Sequence, residues 1–202
     1  MFFTPLVFKA LNTAAHLHDG QKRKAVDQPF ITHPFGVAMI LSEYTRDENV
    51  ICAGLLHDVL EDVPGYGEQD MDRDFGPEIT RIVREVSEKK DPNQPDNSVE
   101  SWEHRKAGYL ANLTTDSEAA MMVCAADKIH NLMTLHDSCR VMGLKIFDYF
   151  HAPLERELWF YHAVLEILLS RLKNPIVAQM AHALSNVETE VKKLQKDAPP
   201  AQ

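Results

Sequence analysis

"LLHDVLEDV", Leu55 to Val63, mixes two kinds of residue in one short stretch. Leu55, Leu56, Val59, Leu60 and Val63 read as core, while His57, Asp58, Glu61 and Asp62 are ionisable. The spacing predicts a helix from roughly Glu48 to Val63, stopped by Pro64 and Gly65. Side chains four apart on a helix nearly coincide, so His57 stacks with Glu61 and Asp58 with Asp62 along one edge. Burying two or three negative charges together costs several kcal/mol apiece unless something compensates them, and a divalent cation is the simplest compensation. A neutral imidazole nitrogen from His57 and a carboxylate oxygen from Asp58 suit Mn, Fe, Co, Ni or Zn better than Ca or Mg, which prefer all-oxygen shells.

Outward from this stretch, helical spacing recurs along the chain, alternating β-branched runs are almost absent, and Gly numbers only 8. The fold class is therefore all-α, a single compact domain of roughly eight to ten helices. A first helix covers about residues 5 to 18, and the loop "DGQKRKAVDQPFITHP" follows. Pro34 can open the next helix, which leaves His33 at its N-terminus. "MDRDFGPEITRIVREVSEKK" reads as an amphipathic helix after a short loop, with Phe75, Ile79, Ile82, Val83 and Val86 on one face. Residues 91 to 99, "DPNQPDNSV", read as a mobile surface loop rather than a domain boundary. Helical pattern resumes in "SVESWEHRKAGYLANL", "SEAAMMVCAADKIHNLMTLHD" and "LERELWFYHAVLEILLSRL", and a last amphipathic helix ends in a tail expected to fray. The domain is drawn over residues 1–195 and the tail over 196–202.

The 202 residues suffice for one domain with a sizeable core, and 45% apolar with 25% charged residues is ordinary globular composition. A net charge of −9 argues against a nucleic-acid partner, which a basic face would attract, but it does not exclude a local basic pocket for a small anion. Cys52, Cys124 and Cys139 are odd in number and lack CxxC spacing, so neither a disulfide framework nor a cysteine zinc site is indicated and the expected compartment is reducing and cytoplasmic. The N-terminal stretch has no basic n-region, and nowhere do about 18 apolar residues run together, so neither a signal peptide nor a membrane partner is expected. The pattern fixes no oligomeric state and is compatible with a homo-oligomer.

Two ligands do not complete a metal site. Asp127, interrupting the apolar helix "VCAADKIHNLMTL" with Asn131 and Thr134 further along the same face, is the best third candidate, and His33 in "FITHP" the best fourth. Each also has an ordinary reading: a paired carboxylate for Asp127, because buried charges are rare unless paired, and a structural histidine for His33. His16, His18, His104, His130, His136, His151, His162 and His182 lack a companion pattern.

The order His33, His57-Asp58, Asp127 resembles the H...HD...D signature of the HD-domain metal-dependent phosphohydrolases. "HDGQKRKAVDQPFITHP", "LLHDVLEDV" and "AADKIHNL", with "SWEHRKAGYL" and "LERELWFYHA", resemble the hydrolase domain of the RelA/SpoT alarmone enzymes from about Leu11 to Leu169, at the length of a small alarmone hydrolase. The resemblance implies that His33, His57, Asp58 and Asp127 hold one metal, in this family usually Mn2+. It implies that Glu61 and Asp62, matching the family's HDxxED carboxylates, handle the water and the proton. A metal lowers the pKa of bound water and polarises a phosphoryl group, while a nearby carboxylate orients and deprotonates the nucleophile. The implied reaction removes pyrophosphate from the ribose 3′ position of a guanosine tetra- or pentaphosphate, leaving GDP or GTP, with no synthesis of such nucleotides.

Such a substrate is highly anionic. By resemblance, Arg23 and Lys24 contact the diphosphate and nucleotide, Asn131 and Thr134 face the ribose and base, and Arg105, Lys106 and Arg156 are candidates for the 5′ phosphates. Lys22 reads as solvated, and Trp159 or Tyr161 could stack on a base or fill the core. Ala25, Asp27 and Phe30 depart from the family's common residues. Adenosine alarmones and other 3′-phosphorylated nucleotides such as NADPH therefore stay open as substrates. So do a generic HD nucleotidase and a nucleotide-binding sensor with a vestigial site, although retention of all four candidate ligands with Glu61 and Asp62 argues against the sensor.

Overall fold

A computed structural model of the chain describes residues 3–23, 27–88 and 99–197. Its elements are α1 (Pro5–Leu17), α2 (Thr32–Tyr44), α3 (Glu48–Leu56), α4 (Val59–Asp62), α5 (Glu68–Phe75), α6 (Pro77–Val86), α7 (Val99–Leu113), α8 (Glu118–Met142), a 3-10 segment (Gly143–Tyr149), α9 (Leu154–Arg171) and α10 (Ile176–Asp197). The described residues hold no strand, and the expected all-α class is what is found; Lys22 and Pro29 make one isolated antiparallel bridge across the α1–α2 loop.

Two helices form the centre. Every residue of α3 from Val50 to Leu56 is buried, as is α8 from Ala120 to Asp127, so each is apolar nearly all round and must be enclosed by others. α2 packs on both, α1 on α3, α6 on both, and α10 runs along α8. Caps fix where these helices begin: Asp47 accepts from the Asn49 amide at the head of α3, and Ser117 from the Ala120 amide at the head of α8. Gly54 lets α2 approach α3 closely, because a Cβ there would lie 2.4 Å from Leu41 Cδ1. Without that need, glycine inside a helix would be a net cost of about 1 kcal/mol against alanine.

Three boundaries before residue 88 differ from the sequence reading. The helix expected over Glu48 to Val63 is broken at His57–Asp58, between α3 and α4. Asp58 has φ −89° and ψ −7°, and the His57 ring donates from Nδ1 to the Gly54 carbonyl at 2.9 Å, satisfying a last-turn carbonyl of α3 with a side chain. The one helix expected around Phe75 to Val86 is two, because Gly76 takes φ +84° and Pro77 starts afresh, so Phe75 belongs to α5. α2 begins at Thr32, not Pro34, which puts His33 inside its first turn. Lys24, Ala25, residues 91–98 of the expected loop and 198–202 of the expected tail lie outside the described residues; Val99 already opens α7, and α10 extends through Lys196 and Asp197.

Candidate active site

The break in the central helix aims His57 and Asp58 at α2 and α8. His33 in the first turn of α2 is 2% exposed, and its Nε2 lies 3.2 Å from His57 Nε2, 3.1 Å from Asp127 Oδ1 and 3.5 Å from Asp58 Oδ2. His57 Nε2 is 3.2 Å from Asp58 Oδ1 and 3.8 Å from Asp127 Oδ1. Donor atoms of His33, His57 and Asp58 all fall within 4.8 Å of one another, and Asp127 closes the group from α8. Because a carbonyl can only accept, the His57 proton on Nδ1 leaves a lone pair on Nε2 when the ring is neutral. Two imidazole edges and two carboxylates thus converge at separations that suit a shared ion about 2.1 Å from each donor. A His/Asp cluster of this composition can hold a metal ion.

The electrostatics of the cluster lean on one lysine. Burial alone would raise the Asp127 carboxyl, but Lys128 Nζ, 2.6 Å from Oδ2, and the imidazoles hold it well below the usual carboxylate range. Lys128 in turn lies 4.9 Å from the Tyr109 ring centre, a cation–π placement. Burial lowers the His33 pKa against the raising influence of Asp127 and Asp58. His130 is lowered to about 4, by burial first and then by His33 and Arg23.

Glu61 and Asp62 stand on α4, immediately beyond the break, and both line the same cavity as the cluster. Glu61 Oε2 accepts from the Glu88 amide at 3.2 Å. Gln21 ties the α1–α2 loop to this turn, its Nε2 donating to the Asp62 carbonyl at 3.2 Å while its Oε1 lies 2.8 Å from His18 Nδ1. The cavity measures about 670 Å³, within the range of small-ligand sites.

Most of the sequence-selected contacts meet around this cavity. Asn131 donates from Nδ2 to Asp127 Oδ1 at 2.6 Å and accepts from Arg23 Nη2 at 2.8 Å. Thr134, one turn later, also lines the space, its hydroxyl bonded to the His130 carbonyl. Also lining the cavity, Glu88 accepts from Arg105 at 2.6 Å and Lys106 at 2.5 Å, and Lys106 Nζ lies 4.7 Å from the Phe160 ring centre. Those two cations hold the Glu88 carboxyl low against its burial. Tyr161 is buried and lines the cavity; Trp159 is 46% exposed and outside its lining. Arg156 is not brought there either: it is exposed and pairs with Glu103 at 3.0 Å. Lys22 lines the rim and pairs with Asp27.

Four contributors escaped the sequence reading: Lys128, His130, Glu88 and Gln21. Lys128 and His130 carried a signal, since they follow Asp127 by one and three positions in an otherwise apolar helix, and three positions is nearly one turn. Glu88 and Gln21 carried none that periodicity could reveal.

An all-α chain whose cation-lined cavity gathers histidines and carboxylates from α2, the α3–α4 break and α8 has the composition of a helical class able to hold a metal. The chain belongs to the HD domain family, which matches residues 10–150. It is 37% identical over 127 residues to a GTP pyrophosphokinase of Streptomyces coelicolor, covering 63% of this chain and 14% of that protein. It is 31% identical over 163 residues to the bifunctional (p)ppGpp synthase/hydrolase SpoT of Escherichia coli K12, covering 79% of this chain and 22% of that one. The chain therefore spans less than a quarter of either relative's length. In fold it is similar to a solved metazoan ortholog of SpoT that hydrolyzes ppGpp, with a TM-score of 0.63 at 24% identity over 98% of this chain and 97% of that one. Among the described residues no helix is long and apolar enough to cross a membrane.

Proposed function

We propose that residues 1–195 act as one HD-type hydrolase domain that removes pyrophosphate from the ribose 3′ position of guanosine tetra- or pentaphosphate, giving GDP or GTP. The carrying observation is the convergence of His33, His57, Asp58 and Asp127 beside Glu61 and Asp62 in one cavity. Relatives named for (p)ppGpp metabolism, and a similar fold whose owner hydrolyzes ppGpp, support the substrate class.

In this reading the four side chains hold one divalent metal, Mn2+, which supplies Lewis-acid polarisation of the 3′ phosphoryl group and lowers the pKa of the attacking water. Glu61 and Asp62 orient that water and take its proton. The water oxygen adds to the phosphorus next to the ribose, the bond from that phosphorus to the 3′ oxygen breaks, and pyrophosphate departs as the 3′ oxygen regains a proton. Arg23 and Lys24 hold the diphosphate, Asn131 and Thr134 face the ribose and base, and Arg105 with Lys106 meet the 5′ phosphates. Arg156, engaged with Glu103 outside the cavity, has no part in it. The enzyme works in the cytoplasm.

The test incubates Mn2+-loaded protein with guanine and adenine tetraphosphates and separates products by ion exchange. Pyrophosphate and GDP are expected from the guanine compound, and none after chelation or in Asp58→Ala. Faster cutting of the adenine compound would move the base assignment. Metal-loaded protein that leaves both uncut, or that releases orthophosphate from ordinary nucleotides instead, would overturn the proposal.

A further inference from the structure

We infer that His130 is a positioning residue that sets the tautomer of His33, and that Gly36 is glycine to admit the His130 ring; this rests on reading the cluster as a metal site. The two rings meet edge to face, centroids 4.8 Å apart at 65°, with His33 Nδ1 3.0 Å from His130 Nδ1. A hydrogen bond between two ring nitrogens needs one proton, and its position decides what His33 presents to the cluster. If His33 keeps it on Nδ1, the neutral ring turns a lone pair on Nε2 towards Asp58 and Asp127. If His130 supplies it, Nε2–H of His33 points at Asp127 Oδ1 and a cation has no ligand there. His130 acting as acceptor selects the first arrangement. Ligating histidines are commonly oriented in this way by a partner on the other ring nitrogen. His57 has a backbone partner, the Gly54 carbonyl, for the same purpose, so the two imidazoles are braced from behind by different means.

Gly36 supplies independent support. It lies inside α2, three residues after His33, where helix propensity favours almost any other residue by up to about 1 kcal/mol. A Cβ at that position would stand 2.2 Å from His130 Cδ2 and 2.5 Å from Nε2, closer than real contacts allow. The α2–α8 crossing therefore accepts the ring only because position 36 has no side chain.

The test titrates Mn2+ calorimetrically into the metal-stripped full chain and follows folding of each variant by circular dichroism. His130→Leu, which fills the space without an acceptor, is expected to weaken Mn2+ binding about 10- to 100-fold. His130→Asn, whose carboxamide oxygen can accept from His33 Nδ1, is expected to recover most of that loss. Gly36→Ala, which displaces the ring while keeping His130, is expected to weaken binding in the same direction. Parent-like affinity in folded His130→Leu or in Gly36→Ala, or His130→Asn binding no better than His130→Leu, overturns the inference while leaving the metal site intact. Should His130→Leu not fold, Gly36→Ala and His130→Asn decide by the same readout. A parent chain that takes up no Mn2+ overturns the metal reading itself, and this inference with it.

Discussion

The floor of the cavity draws His33, His57, Asp58 and Asp127 from α2, the α3–α4 break and α8, helices that pack on one another in the core. The cationic wall is built differently, from the α1–α2 loop and α7, and each of its described cations is already engaged: Arg23 with Asn131, Arg105 and Lys106 with Glu88. On the floor, nitrogen and oxygen acceptors face each other, an arrangement that a positive ion resolves. On the wall, an incoming phosphate must take the place of existing partners, so binding there is an exchange that returns only part of each contact's energy. Under the proposed function, the contrast makes the floor the region that governs whether the reaction occurs and the wall the region that governs how much nucleotide is needed.

Breaking the floor should have the largest effect. Asp127→Ala removes a ligand candidate and leaves Lys128 without its carboxylate, so Mn2+ binding measured by calorimetry and turnover should fall together, turnover by about 10⁴-fold if several kcal/mol of transition-state stabilisation are lost. Glu61→Gln should separate the two: Mn2+ affinity stays near that of the parent while kcat drops about 10²-fold, at the lower end for loss of a general base. Lys106→Ala on the wall should raise KM about tenfold with kcat nearly constant, as expected for one charge-assisted contact of about 1.5 kcal/mol, and the effect should shrink in high salt.

The smallest expected effect lies outside both regions. Burial, with help from Glu85 and against Arg171, raises the Asp116 pKa to about 6. A folded-state pKa above the unfolded value means the folded chain holds that proton more tightly, so the stability it confers is present below about 4 and is lost as pH rises through about 6. Asp116→Asn should therefore increase thermal stability at pH 7.5 by about 1 kcal/mol after allowance for partial exposure, with the gain vanishing towards pH 4. A gain of equal size at both pH values would assign the change to packing instead of ionisation.

Sequence periodicity made the buried helices legible because α3 and the first half of α8 are apolar nearly all round, and a polar residue inside such a run stands out. Asp127 was found in that way, as were His57 and Asp58. The break between His57 and Asp58 was not legible: every residue across it permits a helix, and the His57 bond to the Gly54 carbonyl is a choice made in three dimensions. The split at Gly76–Pro77 had its signal in the sequence, since glycine followed by proline ends one helix and starts another. His130 carried a signal by its place near Asp127, but its contact with His33 carried none, because that contact depends on the α2–α8 crossing and on Gly36, almost a hundred residues away. Arg156 resembled a phosphate contact by motif, but α9 turns it to the surface, where Glu103 holds it.

The most direct test of the central claim follows pyrophosphate release from guanosine tetraphosphate while metal-stripped protein is titrated with Mn2+, occupancy being read in the same samples. Release that rises in step with occupancy and saturates at one ion per chain is expected, with neither seen in Asp127→Ala. An occupied site that leaves the nucleotide intact, or release that proceeds unchanged in excess chelator, would contradict it.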